Sequence, residues 1–346
     1  MDALPNVDFA MSMMLPDDTP LGQHEYYQMA MMLMETSKPI IFVGESEKST
    51  RCAIDMATEV AGGLESLSKA PFIINYVNTI SSSNHNEESV KRLLYAAERN
   101  IPTIYGPAHT KGTIGPMTTA GSVVYGNAGQ LAGLVLSQLK REGSPFVRSA
   151  PGCETMDLRS MVDLYAPPDD GLMGYDLARN QQIPIFGYGG CSDSKVFDAQ
   201  AAAEASLTLF ASTINGVNLI HDMGYLDCAM TYSFELLMLC DEIVSWLKRY
   251  FQPNAINQET LAMDFIGDLD SGANPLASQH TFKHVRSGWQ PNLFDRSNYD
   301  RWSKNGSISF EQQAREKAKQ LIEAHHGISL SDTIKKNILS IRDRYD

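Results

Sequence analysis

Positive charge is scarce in this chain: 28 lysines and arginines stand against 41 aspartates and glutamates, a formal net charge of −13. Binding to nucleic acid or to an anionic membrane needs clustered Lys and Arg, so this balance argues against both. The most basic short runs, "KRLL" and "LKRYF", are isolated on helical stretches and read as solvated faces. Cysteine is sparse as well. The five residues Cys52, Cys153, Cys191, Cys228 and Cys240 are scattered and lack C-x-x-C spacing, which fits a reducing cytosol rather than a disulfide framework. No run is long and apolar enough to span a bilayer, and the acidic, proline-broken "MDALPNVDFA" has no signal-peptide character. A cytoplasmic protein is expected. No G-x-G-x-x-G follows the first apolar run, which removes the usual reason to expect a dinucleotide-binding half.

What is present is a series of short, β-rich apolar runs. They are "NVDFAMSM", "PIIFVG", "PFIINYVN", "IPTIYGP", "SPFVRSA", "IPIFGYGG" and "GVNLIHD", starting at residues 6, 39, 71, 101, 144, 183 and 216. Between them lie helical stretches such as "EESVKRLLYAAERN" and "SVVYGNAGQLAGLVLSQLKREG", with apolar residues three and four apart. The 30- to 43-residue spacing of the run starts is a βα period. Alternating β and α with near-continuous apolar strands means a parallel sheet covered by helices. Polar and aromatic residues gather at the C-terminal ends of the runs: Glu45, Tyr76, Asn78, Tyr105, Arg148, Tyr188, His221 and Asp222. A closed barrel brings such ends to one mouth, where barrel active sites lie. The expected fold is α/β, a TIM (β/α)₈-type barrel over residues 1–251. Seven runs are one short of eight: either the count misses one, or the chain lacks the first βα unit. Residues 252–346 change pattern and read as a C-terminal helical extension packed on the barrel.

The stretch "GVNLIHDMGYLDCAMTYSFELL" delivers an imidazole, a carboxylate and a phenol ring to one strand end. His221-Asp222 alone fits a core histidine or a helix cap. Tyr76, Tyr105, Phe186, Tyr188 and Tyr225 supply rings at the same level. Rings with carboxylates nearby suit a quaternary ammonium ligand, whereas each ring taken singly reads as packing. In "GYGGCSDSK", Ser192 or Asp193 is positioned to cap the next helix, and the acidic Asp193 disfavours a phosphate nest. Cys191 as a nucleophile or zinc ligand lacks supporting spacing, and "HTFKH" (His280, His284) lacks a glutamate beside its first histidine. No metal bound by the protein is expected. The small residues of "GTIGPMTTAGSVVYGNAGQLAGLVLSQL" read as close helix packing.

"DALPNVDFAMSM", "GPMTTAGSVVYGNAGQLAGLVLSQL", "GGCSDSKVFDAQAAAEA", "NLIHDMGYLDCAMTYSFELLMLCDEI" and "HTFKHVRSGWQPNLFDR" followed by "NYDRW" resemble the trimethylamine methyltransferase (MttB-like) family over essentially the whole chain. The resemblance implies a barrel that passes a methyl group from a methylated amine to the Co(I) of a corrinoid protein. The corrinoid would be carried by that partner, with no cofactor bound tightly by this chain. Family members run longer, which agrees with a missing first unit. The trimethylamine branch carries pyrrolysine near "FGYGG"; only standard residues stand here, as in the branch acting on betaine-like amines. The family's glutamate is Gly129 here. In this reading His221 and Asp222 are catalytic, with His221 bonding a substrate oxygen and Asp222 or Asp193 biasing the field toward a cation. Tyr76, Tyr105, Phe186, Tyr188 and Tyr225 line the pocket, and Arg148 and Lys195 meet a betaine carboxylate. A shortened barrel that binds amine or corrinoid partner without turnover is the competing expectation; a different barrel enzyme with His221 as general base is the third. The two edges left by a missing unit imply a homo-oligomer.

Overall fold

The computed structural model describes residues 1–108, 110–149, 155–167, 171–272, 274–328 and 330–345; Cys153 and Ala150, the last residue of the fifth run, lie outside them. Seven strands form one sheet: β1 (Ala10–Met11), β2 (Ile40–Val43), β3 (Ile73–Thr79), β4 (Thr103–Pro107), β5 (Phe146–Ser149), and, after the hairpin β6 (Thr155–Asp157) and β7 (Val162–Leu164), β8 (Ile185–Tyr188) and β9 (Leu219–His221). The order across the sheet is β1-β2-β3-β4-β5-β8-β9, and every neighbouring pair is parallel. A second hairpin, β10 (Tyr225–Leu226) with β11 (Thr231–Tyr232), follows β9. The seven strands lie where the apolar runs predict them. The two antiparallel hairpins are additions that the runs do not reveal.

Helices join and cover the strands: α1 (His24–Glu35), α2 (Glu47–Ala61), α3 (Leu64–Lys69), α4 (Glu87–Glu98), α5 (Thr119–Lys140), α6 (Leu172–Gln181), α7 (Ala199–Ile214) and α8 (Phe234–Tyr250). Beyond them come α9 (Gln258–Leu261), α10 (Met263–Asp270), α11 (Gln279–His284), α12 (Tyr299–Lys304), α13 (Phe310–Glu323) and α14 (Asp332–Tyr345). The last two pack back on the body. Ala314 and Ala318 of α13 meet Leu4, Val7, Leu237 and Met238, while Ile338 and Ile341 of α14 join the α1–α2 core.

Prolines set the start of the ladder. The carbonyls of Pro39, Pro102, Pro145 and Pro184 each accept from the preceding strand: from Ala10 (2.8 Å), Asn75 (2.9 Å), Thr103 (3.3 Å) and Arg148 (3.0 Å). Proline has no N–H to give but a full acceptor, so it can begin a strand without leaving a donor orphaned.

The sheet curls. Ile41, Ile104, Val147 and Phe186, with Phe9, Met11, Ile74, Tyr76 and Leu219, form a single apolar cluster drawn from all seven strands and the residue leading into β1. Met11 of the first strand and Leu219 and His221 of the last also line one cavity, which a flat seven-stranded sheet would not allow. The result is an α/β half-barrel of TIM type. Among the described residues, no strand pairs with the outer edge of β1 or of β9. The two edges are tied at their ends: the Tyr225 hydroxyl donates to the Met13 carbonyl (2.7 Å), and the Asn6 amide to Asp241 Oδ1 (2.9 Å). Between them lies a cavity of about 240 Å³, lined by Phe9, Met11 and Met13 on one side and Leu219, His221 and Asp222 on the other.

Candidate active site at the strand ends

Pleat decides what reaches the interior. Register pairs Tyr76 with Ile104, Ile104 with Val147, and Phe186 with Leu219, so these residues share the inner row, and Tyr188 and His221 stand opposite each other two residues on. Tyr105 and Arg148, also register partners, fall on the other row. The expectation that both line the pocket is corrected here. Tyr105 is wholly buried in the helix layer with Val77, Leu93 and Phe146. Its hydroxyl is 2.6 Å from His85 Nδ1, and burial drives its phenol well above the ordinary range. Arg148 is 1% exposed and donates to Gln130 Oε1 (2.7 Å), Asn127 Oδ1 (3.0 Å) and Gln181 Oε1, while burial lowers its guanidinium to about 10. It braces α5 and α6 from outside the sheet.

The small residues of α5 explain how that layer closes. A Cβ at Gly133 would lie 2.3 Å from the Tyr105 ring, and one at Gly129 would lie 2.7 Å from the Ser82 backbone. Close packing is therefore the role of this helix face. A glutamate cannot stand at Gly129 unless the 81–84 loop moves.

Two sets of rings meet at the mouth. In the first, His221 stacks flat on Phe186 (3.8 Å, 7°), which contacts Tyr76 (5.3 Å). The second is Tyr165, stacked on Tyr188 (6.2 Å) and edge-on to Tyr225 (6.1 Å), with Tyr232 behind Tyr225 (5.5 Å). Asp222 joins the two sets. Its Oδ2 accepts the Tyr165 hydroxyl (2.7 Å), and its Oδ1 lies 2.7 Å from His221 Nδ1, close but without the N–H aimed at the oxygen. Asp222 achieves this from a left-handed backbone, φ 73°. Burial foremost, then the Asp222 charge, holds the Tyr165 phenol far above its usual range, so it stays protonated and donates. The same two causes push Tyr225 up to about 12.

Tyr165 was not legible as a site residue. It follows the β6–β7 hairpin in "VDLYAPP", and a ring ahead of two prolines is the only local sign of a fixed position. Asp193 does the fixing. Its carboxylate accepts from the backbone N–H of Tyr165 (2.7 Å) and of Ala166 (3.2 Å), and Cys191 Sγ donates to the Tyr165 carbonyl (3.3 Å). Asp193 thus acts on a loop, one step behind the rings. Lys195 is largely exposed, 3.2 Å from Asp227, with its ammonium donating to the Asp193 carbonyl. The helix after "GYGGCSDSK" is capped by Asp198, which accepts from Ala201 (2.9 Å), and not by Ser192 or Asp193. Ser192 instead donates to Glu204, which also accepts from the Asp193 amide.

Burial raises the Cys228 thiol to about 11. His284 Nε2 lies 3.4 Å from Glu259, and its ring is 4.6 Å from that of His280. Among the described residues, no three His, Cys, Asp or Glu side chains are grouped to hold a metal ion, and no helix is long and apolar enough to cross a membrane. Chemically, the mouth offers π faces backed by one carboxylate, an arrangement suited to a cation whose charge is spread over methyl groups.

The family described as "Trimethylamine methyltransferase (MTTB)" matches residues 3–344. Trimethylamine methyltransferase MttB of Desulfitobacterium hafniense (strain DSM 10664 / DCB-2) is 28% identical, over 98% of this chain and 69% of that protein. Glycine betaine methyltransferase of Desulfitobacterium hafniense (strain Y51) is 28% identical, over 89% of this chain and 65% of that protein. Trimethylamine methyltransferase MttB of Methanosarcina barkeri is 27% identical, over 99% and 70%. The chain spans about two thirds of the length of these relatives.

Proposed function

The chain belongs to the trimethylamine methyltransferase family, and from that premise we propose that it moves a methyl group from a quaternary, betaine-like amine to the Co(I) of a corrinoid protein. The observation that carries this reading is the pair of ring sets joined by Asp222 at the strand ends. A quaternary ammonium leaves as a neutral tertiary amine, so no general acid is required. The partner's corrinoid supplies the strong cobalt nucleophile. This chain has to hold the cation, aim one methyl outward and exclude water. Tyr76, Tyr188 and Tyr225 supply ring faces worth roughly 0.5–2 kcal/mol each to a bound cation, and Phe186, 1% exposed under the His221 ring, backs them. Asp222 biases the field toward positive charge. With Arg148 turned to the helix layer and Lys195 held by Asp227, His221 is the group we assign to a substrate carboxylate oxygen. The outer edges of β1 and β9, which pair with no strand among the described residues, support a homo-oligomer.

The test is methylation of free cob(I)alamin over glycine betaine, tetramethylammonium and trimethylamine, beside calorimetric titration with a neutral isostere. Turnover of a quaternary amine, with no binding of the isostere, is expected. Equal binding of isostere and cation would sink the reading. One observation favours a second reading, binding without turnover: the cavity between β1 and β9 runs up to His221 and Asp222. Cation binding with no methylation would select it.

A further inference from the structure

Asp222 is the carboxylate nearest the rings, yet neither of its oxygens is bare. Oδ1 lies against His221 Nδ1, and Oδ2 holds the Tyr165 hydroxyl at 2.7 Å. The tyrosine is not there by accident of a mobile side chain. Its backbone N–H is gripped by Asp193, its carbonyl by the Cys191 thiol, its ring by Tyr188 and Tyr225. Loops following β5, β8 and β9 all converge on this one residue.

Methylated cations differ in what they ask of such a site. A quaternary ammonium has no N–H; it presents methyl groups to ring faces and needs only a nearby negative charge. A protonated tertiary amine has a single N–H, which must find an acceptor or be buried unpaired, and an unmet donor is costly. Tyr165 donates to Oδ2, and the His221 ring crowds Oδ1 at 2.7 Å without donating to it, so an approaching N–H finds the carboxylate shielded on both sides.

We propose that Tyr165 is a specificity-determining residue, which by occupying Asp222 Oδ2 makes the site favour methylated cations without an N–H over those that carry one. The proposal rests on the cation-binding reading of the mouth and deepens it. Tyr165 keeps the carboxylate's charge available while taking one of the acceptor positions of Oδ2 and covering that side of the oxygen with its ring. A tyrosine phenol is protonated at neutral pH, and burial with the Asp222 charge moves Tyr165 further from ionising.

Tyr165→Phe separates the two effects, since it retains the ring and frees Oδ2. Calorimetric titration of parent and Y165F with tetramethylammonium and with trimethylammonium at neutral pH gives the ratio of the two dissociation constants. In the parent the quaternary ion should bind more tightly. In Y165F the ratio should move by about tenfold toward trimethylammonium, the size of one charge-assisted hydrogen bond. A general loosening of the mouth would weaken both ions together and leave the ratio alone. Asp193→Asn, which weakens the grip on the Tyr165 backbone, should move the ratio in the same direction. Binding of both ions with an unchanged ratio in Y165F overturns the proposal and leaves the proposed function standing. Binding of neither ion by the parent overturns both.

Discussion

Asp222 combines a backbone at φ 73° with a carboxylate that holds Tyr165 and faces His221. Asparagine tolerates the left-handed region better than most side chains and keeps one acceptor oxygen, so Asp222→Asn removes the charge and little else. Its affinity for a quaternary cation should fall about tenfold, the effect of one unit charge several ångströms away in a half-buried site. Its thermal midpoint should stay near the parent's. Asp222→Ala should lose the affinity and also about 1 kcal/mol of stability, because alanine pays for the left-handed backbone without a local hydrogen bond. Titration and thermal unfolding of the two variants check this. Parent-like affinity in the asparagine variant would remove Asp222 from the site's electrostatics.

At the level of elements, α5 is the clearest case of sequence dictating geometry. Gly133 lets the helix rest on the Tyr105 ring, so Gly133→Ala should cost about 1–3 kcal/mol by overpacking, measured by denaturant unfolding. Cation binding at the mouth should be retained in the folded variant, since Tyr105 faces away from it. The same element shows what could and could not be read beforehand. Strand positions were legible from the apolar runs and their prolines, and the helices from three- and four-residue spacing. Which strand-end residues face inward was not. A parallel strand buried on both sides has no alternation of polarity, so its parity is hidden, and a shift of one residue sends a side chain to the opposite face. Tyr76 and Phe186 fell on the inner row, Tyr105 and Arg148 one residue off it. Tyr165 escaped because its place is set by a hairpin that no apolar run marks and by Asp193, 28 residues further along the chain.

For the whole molecule, a parallel sheet whose outer strands lack neighbours among the described residues is a ladder with two ends. Backbone N–H groups in β3 and β4 are held between partners on both sides, those of β1 and β9 on one side only. Opening should therefore begin at the seam and reach the middle last, and amide exchange should record it as a gradient of lifetimes. Ala10, Met11 and Leu219 to His221 are expected to exchange fastest among the strands, and Ile74 to Ile104 slowest. Uniform protection across the seven strands would contradict this. His221 belongs to the strand that opens first, so the site shares its clock with the least durable edge of the sheet. A ligand held between His221 and Asp222 would lengthen lifetimes along β9 and, through the Tyr225–Met13 tie, along β1. Occupancy of the mouth would then be readable in the backbone of a strand at the far end of the sheet order.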